Sequence, residues 1–245
     1  IQFDKVYFTY KNSGIQALKN VSIDIKAGQT IGVIGRTGSG KSTLAAMIAR
    51  FYDPDAGIIR IDNEDLRRID LHNYRKHLGY VSQEDFLFSD SIEKNIAFSD
   101  DELTKEKIVE AAKMADVHDN IIDTTLGYKT ILGEKGINLS GGQKQRISIA
   151  RAIISEPTIL IFDDCLSALD TETEEHVLRN LNNIKKDQTK IFISHRVSTI
   201  RNADKIFVLD HGEIIEEGSH NELMKKGELY SELFEQQLIE EGQVN

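Results

Sequence analysis

Residues 29–43 read QTIGVIGRTGSGKST. An apolar run stops at a glycine-rich turn, and Lys41, Ser42 and Thr43 open the next segment. Continuous hydrophobicity over 29–35 is the pattern of a strand buried on both faces. The stretch 35–43 fits G-x-x-x-x-G-K-[ST], and each part answers a physical need. Gly35, Gly38 and Gly40 permit backbone angles that turn successive N–H groups inward toward phosphate oxygens. Lys41 reaches the outer phosphates, and the Ser42 hydroxyl offers one position on a divalent cation. A helix predicted from Lys41 to about Phe51 places its positive end against the same charge.

The rest of the chain supplies a frame for this turn. IQFDKVYFTY at 1–10 and VSIDI at 21–25 alternate apolar and polar residues, as half-buried strands do. GIIRID (57–62) and LGYVSQ (78–83) read as further strands. From about Glu84 to Ser155 strand patterns give way to helical periodicity, over 104–117 and 141–154, which predicts an all-helical insertion. Strands return as TILIFDD (158–164), TKIFIS (189–194) and KIFVLD (205–210), with a helix expected over about 172–184. Short strands alternating with helices imply a mostly parallel, covered sheet. The tail carries two amphipathic helices with Gly227 between them.

Composition closes off several alternatives. A formal net charge of −10 argues against a nucleic-acid partner, which calls for a basic face. No apolar stretch approaches the roughly 18–20 residues needed to span a bilayer. The single cysteine, Cys165, excludes an internal disulfide and fits a reducing compartment. The chain opens at Ile1 rather than Met, as expected of a piece of something longer.

Two further motifs bear on chemistry. IFDDCLSALD (161–170) ends an apolar run on adjacent carboxylates. In P-loop proteins a second strand ends in an Asp that serves the metal, which points to Asp163. Asp164 either polarises an attacking water or caps the next helix. LSGGQ at 139–143 opens a helix with Ser140 as N-cap, and Gly141 and Gly142 leave that helix end open to an anion.

Cradle, acid pair and LSGGQ together resemble the nucleotide-binding domain of an ATP-binding cassette (ABC) transporter, over essentially all 245 residues. The resemblance implies a single α/β domain over 1–245. It comprises a P-loop NTPase core (1–83 and 156–245) with a mostly parallel sheet, an N-terminal antiparallel β subdomain, and an inserted helical subdomain (84–155). It implies ATP and Mg²⁺ as ligands. Gly35, Arg36, Thr37, Gly38, Ser39, Gly40, Lys41, Ser42 and Thr43 would surround the phosphates. Ser42, Gln83 and Asp163 would serve the metal, and Lys41, Gln83, Asp164 and His195 the reaction. Tyr10 matches the aromatic that stacks on adenine, although on residues alone it reads as a strand-edge tyrosine.

The same resemblance implies a head-to-tail pair of domains. Leu139, Ser140, Gly141, Gly142, Gln143 and Asp170 of one chain, the last in SALD (167–170), would then complete the partner's site. GEKG at 133–136 is similar to a segment of exporters that meets the membrane-embedded domain, and Gln83–Phe88 would meet it too. Phe86 and Phe88 also read as core of the insertion. The expected location is the cytoplasmic face of a bacterial plasma membrane.

One position departs from the family pattern: Asp164 stands where active members usually place Glu. Its carboxylate is drawn back by roughly 1–1.5 Å, and misplacing a catalytic group by about 1 Å costs on the order of 10²-fold in rate. The expectation is a slow site, in one half of a heterodimeric, multidrug-type exporter. A non-hydrolytic ATP-dependent clamp and an importer subunit are the alternatives. DNA-repair ATPases of this class carry long coiled coils between cradle and acid strand, and the span from Lys41 to Asp163 has no room for one.

Overall fold

The computed structural model describes residues 1–84, 86–98, 102–133, 139–184 and 187–240. The N-terminal alternation becomes a hairpin of β1 (Gln2–Tyr10) and β2 (Ile15–Asp24). The second strand starts well before the predicted 21–25. β3 (Thr30–Gly35) begins another sheet, while β4 (Ala56–Ile61) and β5 (Glu64–Asp65) return to the first. That first sheet is antiparallel, in the order β2-β1-β4-β5.

The larger sheet adds β6 (Leu78–Val81), β7 (Ile159–Asp163), β8 (Thr189–Ile193), β9 (Lys205–Asp210) and β10 (Glu213–Gly218). Its order is β10-β9-β3-β8-β7-β6. Five strands run parallel and β10 alone is antiparallel. The expected α/β fold, with a mostly parallel sheet and an antiparallel N-terminal one, is therefore observed.

Side-chain alternation explains why these strands are apolar throughout. Ile31, Val33, Ile159, Ile161, Ile191 and Ile193 join the core facing the antiparallel sheet. Ile34, Leu160, Phe162, Phe192, Ile206 and Val208 face the opposite core. The first face is covered by α1 (Lys41–Ile48), with Tyr74 of α2 (Leu71–Lys76) in the same core. The second core runs on into α3 (Ile92–Ala97), α4 (Lys105–Met114), α5 (His118–Ile122) and α6 (Gly141–Ile153). It also takes side chains from α7 (Thr171–Asn182), α8 (Val197–Ile200), α9 (His220–Lys226) and α10 (Leu229–Glu240). Among the described residues no helix is long and apolar enough to cross a membrane.

Several helices end earlier than their periodicity suggests. α1 stops at Ile48 rather than near Phe51, because Arg50 takes a left-handed backbone with φ 51°. α4 stops at Met114 rather than 117, with Asp116 left-handed at φ 56°. α7 ends at Asn182, short of the predicted 184. Gly227 separates α9 and α10 as expected, left-handed at φ 68°.

Candidate active site

The parallel strands place four loops at one edge of the sheet, since β3, β6, β7 and β8 all end there. The cradle follows β3, Gln83 follows β6, the acid pair ends β7, and His195 follows β8. β8 lies between β3 and β7, so His195 leaves the sheet between the cradle and the acids.

Two glycines of the cradle are dictated by close approach. A Cβ at Gly35 would stand 2.0 Å from the Leu209 carbonyl oxygen, and one at Gly40 2.4 Å from that of Ala17. Gly40 is also left-handed, at φ 105°, and enters α1 without any side-chain cap. The first N–H groups of α1 are thus open to an anion. Ser39 Oγ is buried in the same loop and has no protein partner. An orphaned hydroxyl and an uncapped helix end fit an oxyanion ligand. Lys41 Nζ donates to the carbonyls of Gly35 (2.8 Å) and Arg36 (2.9 Å), so it lies across the loop. Desolvation lowers its pKa, opposed by the nearby charges of Asp164 and Asp163. Arg36 and Thr37 are exposed on the rim.

Ser42 donates to Asp163 Oδ1 at 2.8 Å, and the Tyr80 hydroxyl donates to Oδ2 at 3.0 Å. Burial pushes the Asp163 pKa up, and these two bonds pull it down. Two hard oxygens 2.8 Å apart match one edge of an octahedron with bonds of about 2.0–2.1 Å, which spans about 2.9 Å. Among the described residues no group of three or more His, Cys, Asp or Glu could hold a metal. The donor set fits a cation completed by water and phosphate oxygens, as Mg²⁺ prefers.

Asp164 does not cap the next helix. Its backbone is left-handed, with φ 50°, and its N–H donates to the Ile193 carbonyl at 2.8 Å. This turn aims the carboxylate at His195, whose Nδ1 lies 2.8 and 3.1 Å from its two oxygens. Asp170 takes the capping role, accepting from Thr173 N–H at the start of α7. Tyr10 is tied to the cradle, with its hydroxyl 3.0 Å from Thr43 Oγ1 and its ring edge-on to Phe8 and Tyr52.

The LSGGQ segment is a separate structure. Ser140 and Gln143 form a reciprocal capping box at the start of α6. A Cβ at Gly142 would lie 3.2 Å from Leu169 Cδ2, so this helix end abuts the SALD loop. No hydrogen bond or ion pair among the described residues joins 139–143 to 35–43. Phe86 and Phe88 are not core: they are 55% and 44% exposed, and their rings pack edge-on at 4.9 Å. Phe98 extends that exposed patch, and the Arg151 guanidinium lies over Phe88 and Phe98. Of GEKG, Glu134, Lys135 and Gly136 lie outside the described residues.

Residues that the motifs did not flag also build the site. Tyr80 holds Asp163, and alternation in LGYVSQ is the only sequence signal for it. Arg196 bonds Glu174 (2.9 Å) and the Ser167 carbonyl (3.0 Å), linking the His195 loop to SALD. Gln237 reaches the same loop from α10.

A strand-to-helix phosphate cradle, an acid pair on a neighbouring strand and a loop histidine define a nucleoside-triphosphate-binding α/β protein. The chain belongs to the ABC transporter family: the family model described as ABC transporter matches residues 18–167. It is 47% identical over 239 residues to the leukotoxin translocation ATP-binding protein LktB of a Pasteurella haemolytica-like species, covering 97% of this chain and 34% of that protein. It is also 47% identical over 240 residues to the leukotoxin export ATP-binding protein LtxB of Aggregatibacter actinomycetemcomitans, with the same coverage. The chain thus spans about a third (34%) of the length of these relatives. Its structure is similar to a bacterial Atm1-family ABC exporter with ATP bound, with TM-score 0.93 and 41% identity over 96% of this chain and 41% of that one.

Proposed function

We propose that this chain is the motor domain of an ABC exporter, which binds ATP with Mg²⁺ at residues 35–43 and hydrolyses it slowly. The observation that carries the reading is the convergence at the sheet edge. Ser42 in the cradle touches Asp163 at 2.8 Å, and Asp164 beside it touches His195 at 2.8 Å. Cradle N–H groups and Lys41 hold the phosphates, and Tyr10 offers its ring to the base. Ser42, Gln83 and Asp163 hold the metal, which when bound neutralises phosphate charge. Asp164 orients a water and, through Nδ1, orients His195, leaving Nε2 to face the γ-phosphate.

LSGGQ supports pairing with a second domain. The Ser140 hydroxyl accepts from Gln143 N–H, so its own hydrogen remains to be donated to a phosphate. Leu139–Gln143, with Asp170 alongside, would therefore serve a neighbour's ATP, and charge-assisted bonds from both chains would hold the pair. In this proposal residues 84–155 act as a helical subdomain that presents Phe86, Phe88 and the Gly133–Gly136 segment to a membrane domain on the cytoplasmic face. The Asp164 substitution favours the slow half of a heterodimeric exporter, whose cargo class the names of the relatives leave to experiment.

The test is association and turnover of this chain with Mg-ATP, alone and with a cognate domain. The expected results are dimers with Mg-ATP when turnover is blocked by His195→Ala, none with Mg-ADP, and loss of nucleotide binding in Lys41→Ala. Failure of any domain pair to associate under those blocked conditions overturns the reading.

A further inference from the structure

Beside Ser194, whose N–H bonds the Val33 carbonyl and whose Oγ accepts from Arg196 N–H at 2.9 Å, three groups hold the segment around His195. The imidazole meets Asp164, and Arg196 is anchored to Glu174 and Ser167. The third is Gln237, from the last helix. Its Nε2 donates to the His195 carbonyl, and its Oε1 accepts from Val197 N–H at 2.7 Å. Among the described residues the His195 backbone takes its hydrogen bond from Gln237 alone. Val197 is the first residue of α8, whose N-cap, Arg196, gives no side-chain cap. One carboxamide therefore fills an orphan helix donor and a loop acceptor on either side of Arg196.

The platform that presents Gln237 is firm. Tyr230 at the base of α10 is fully buried, its hydroxyl 2.8 Å from His220 Nδ1 and its N–H on Glu216 Oε1 at 3.0 Å. Leu233 and Phe234 pack against the core. α10 also passes the cradle, where Glu232 lies 3.8 Å from Arg36. The helix thus touches both loops that would enclose the phosphates.

We propose that Gln237 is a positioning residue for His195: by clamping the backbone on both sides of Arg196, it fixes where the imidazole stands relative to Asp164 and the cradle. The proposal rests on the hydrolytic reading above. Gln237 acts through the backbone of the His195 loop and is not catalytic. Its loss releases the loop on one side, while Arg196 and Asp164 still hold the others. A displacement of about 1 Å at a catalytic group costs on the order of 10²-fold, and about half that displacement, in a loop still held through Asp164 and Arg196, costs roughly 10-fold on the same logarithmic scale.

Two variants separate the parts. Gln237→Met keeps the packing and removes both bonds. Gln237→Glu keeps an acceptor for Val197 N–H but sets a carboxylate against the His195 carbonyl. Gln236→Glu, at an exposed neighbouring position, is the control for charge. In ¹H–¹³C spectra the His195 ring peak, identified by its loss in His195→Gln, is expected to shift and broaden in both Gln237 variants and stay put in the control. With Mg-ATP, kcat falls roughly 10-fold while KM stays within about twofold. If the unsubstituted chain proves inactive, the hydrolytic reading has failed and the spectra alone decide this proposal. An unmoved His195 peak in both folded variants overturns it. So does a parallel loss of nucleotide binding and thermal stability with KM rising, which marks a purely structural role.

Discussion

Replacing Asp164 by Glu is expected to raise activity and lower stability together. The two effects arise from different parts of one residue. On the side-chain side, Asp164 is held by His195 Nδ1 at 2.8 and 3.1 Å. One added methylene carries the carboxylate forward by roughly 1–1.5 Å, past that contact and toward the space over the cradle. If reach limits the reaction, hydrolysis rises by about 10- to 100-fold. On the backbone side, residue 164 is left-handed at φ 50°. Short polar side chains tolerate that region because they bond locally, and longer ones gain nothing there. The substitution then costs up to about 1–2 kcal/mol, or a fall in Tm of up to about 2–8 °C for a chain of this size. Single-turnover hydrolysis, with protein in excess over Mg-ATP, reads the first effect, and thermal unfolding without nucleotide reads the second. Turnover within twofold of the native chain, with ATP still bound, would refute the argument from side-chain length. An unchanged or higher Tm would refute the argument from the backbone.

Asp163 gives a prediction with a definite pH sign. Burial raises its pKa, so the folded chain keeps this proton longer than the unfolded one, and stability falls as pH rises from the ordinary carboxylate range to the raised value. Asp163→Asn removes that cost, so in metal-free buffer its Tm advantage over the native chain should grow as pH rises above about 4, the ordinary carboxylate value; an advantage that shrinks with pH contradicts the assignment. Glu174 is buried and bonds both Arg196 (2.9 Å) and Thr199 (2.5 Å). Glu174→Gln removes the charge from the bond to Arg196 and should cost about 1.5–3 kcal/mol, read as a Tm fall of about 3–12 °C. Tyr10→Phe loses only the bond to Thr43 and should bind Mg-ATP within about twofold. Tyr10→Ala should weaken it at least about 5-fold, the low end of base–aromatic stacking, and equal affinities of the two variants in a fluorescent-nucleotide titration would remove the stacking role.

What could be read from the sequence is what is local. Gly35, Gly40, Lys41 and Ser42 are neighbours in the chain, and the chemistry that selects them acts over a single turn. Asp163 was legible for the same reason, as the last residue of an apolar strand. Asp164 was readable only as an alternative, because a left-handed turn, and not its neighbours, decides that it faces His195. Helix ends were overrun at Arg50 and Asp116 because these non-glycine residues take the left-handed angle that Gly usually signals. β10 was missed because its turn is His211–Gly212, both at positive φ, and its buried Glu216 looks like surface. Tyr80 meets Asp163 only because β6 lies parallel to β7 with Tyr80 opposite Ile161. Gln237 meets His195 only because α10 docks near α8, and its own sequence reads simply as one polar position in an amphipathic helix. The residues proposed to meet phosphate are thus set by motif, while those that hold the loops around them, Tyr80, Arg196 and Gln237, are set by packing. If Gln237 positions His195 as proposed, a change in α10 alters turnover without alteration of any recognisable motif.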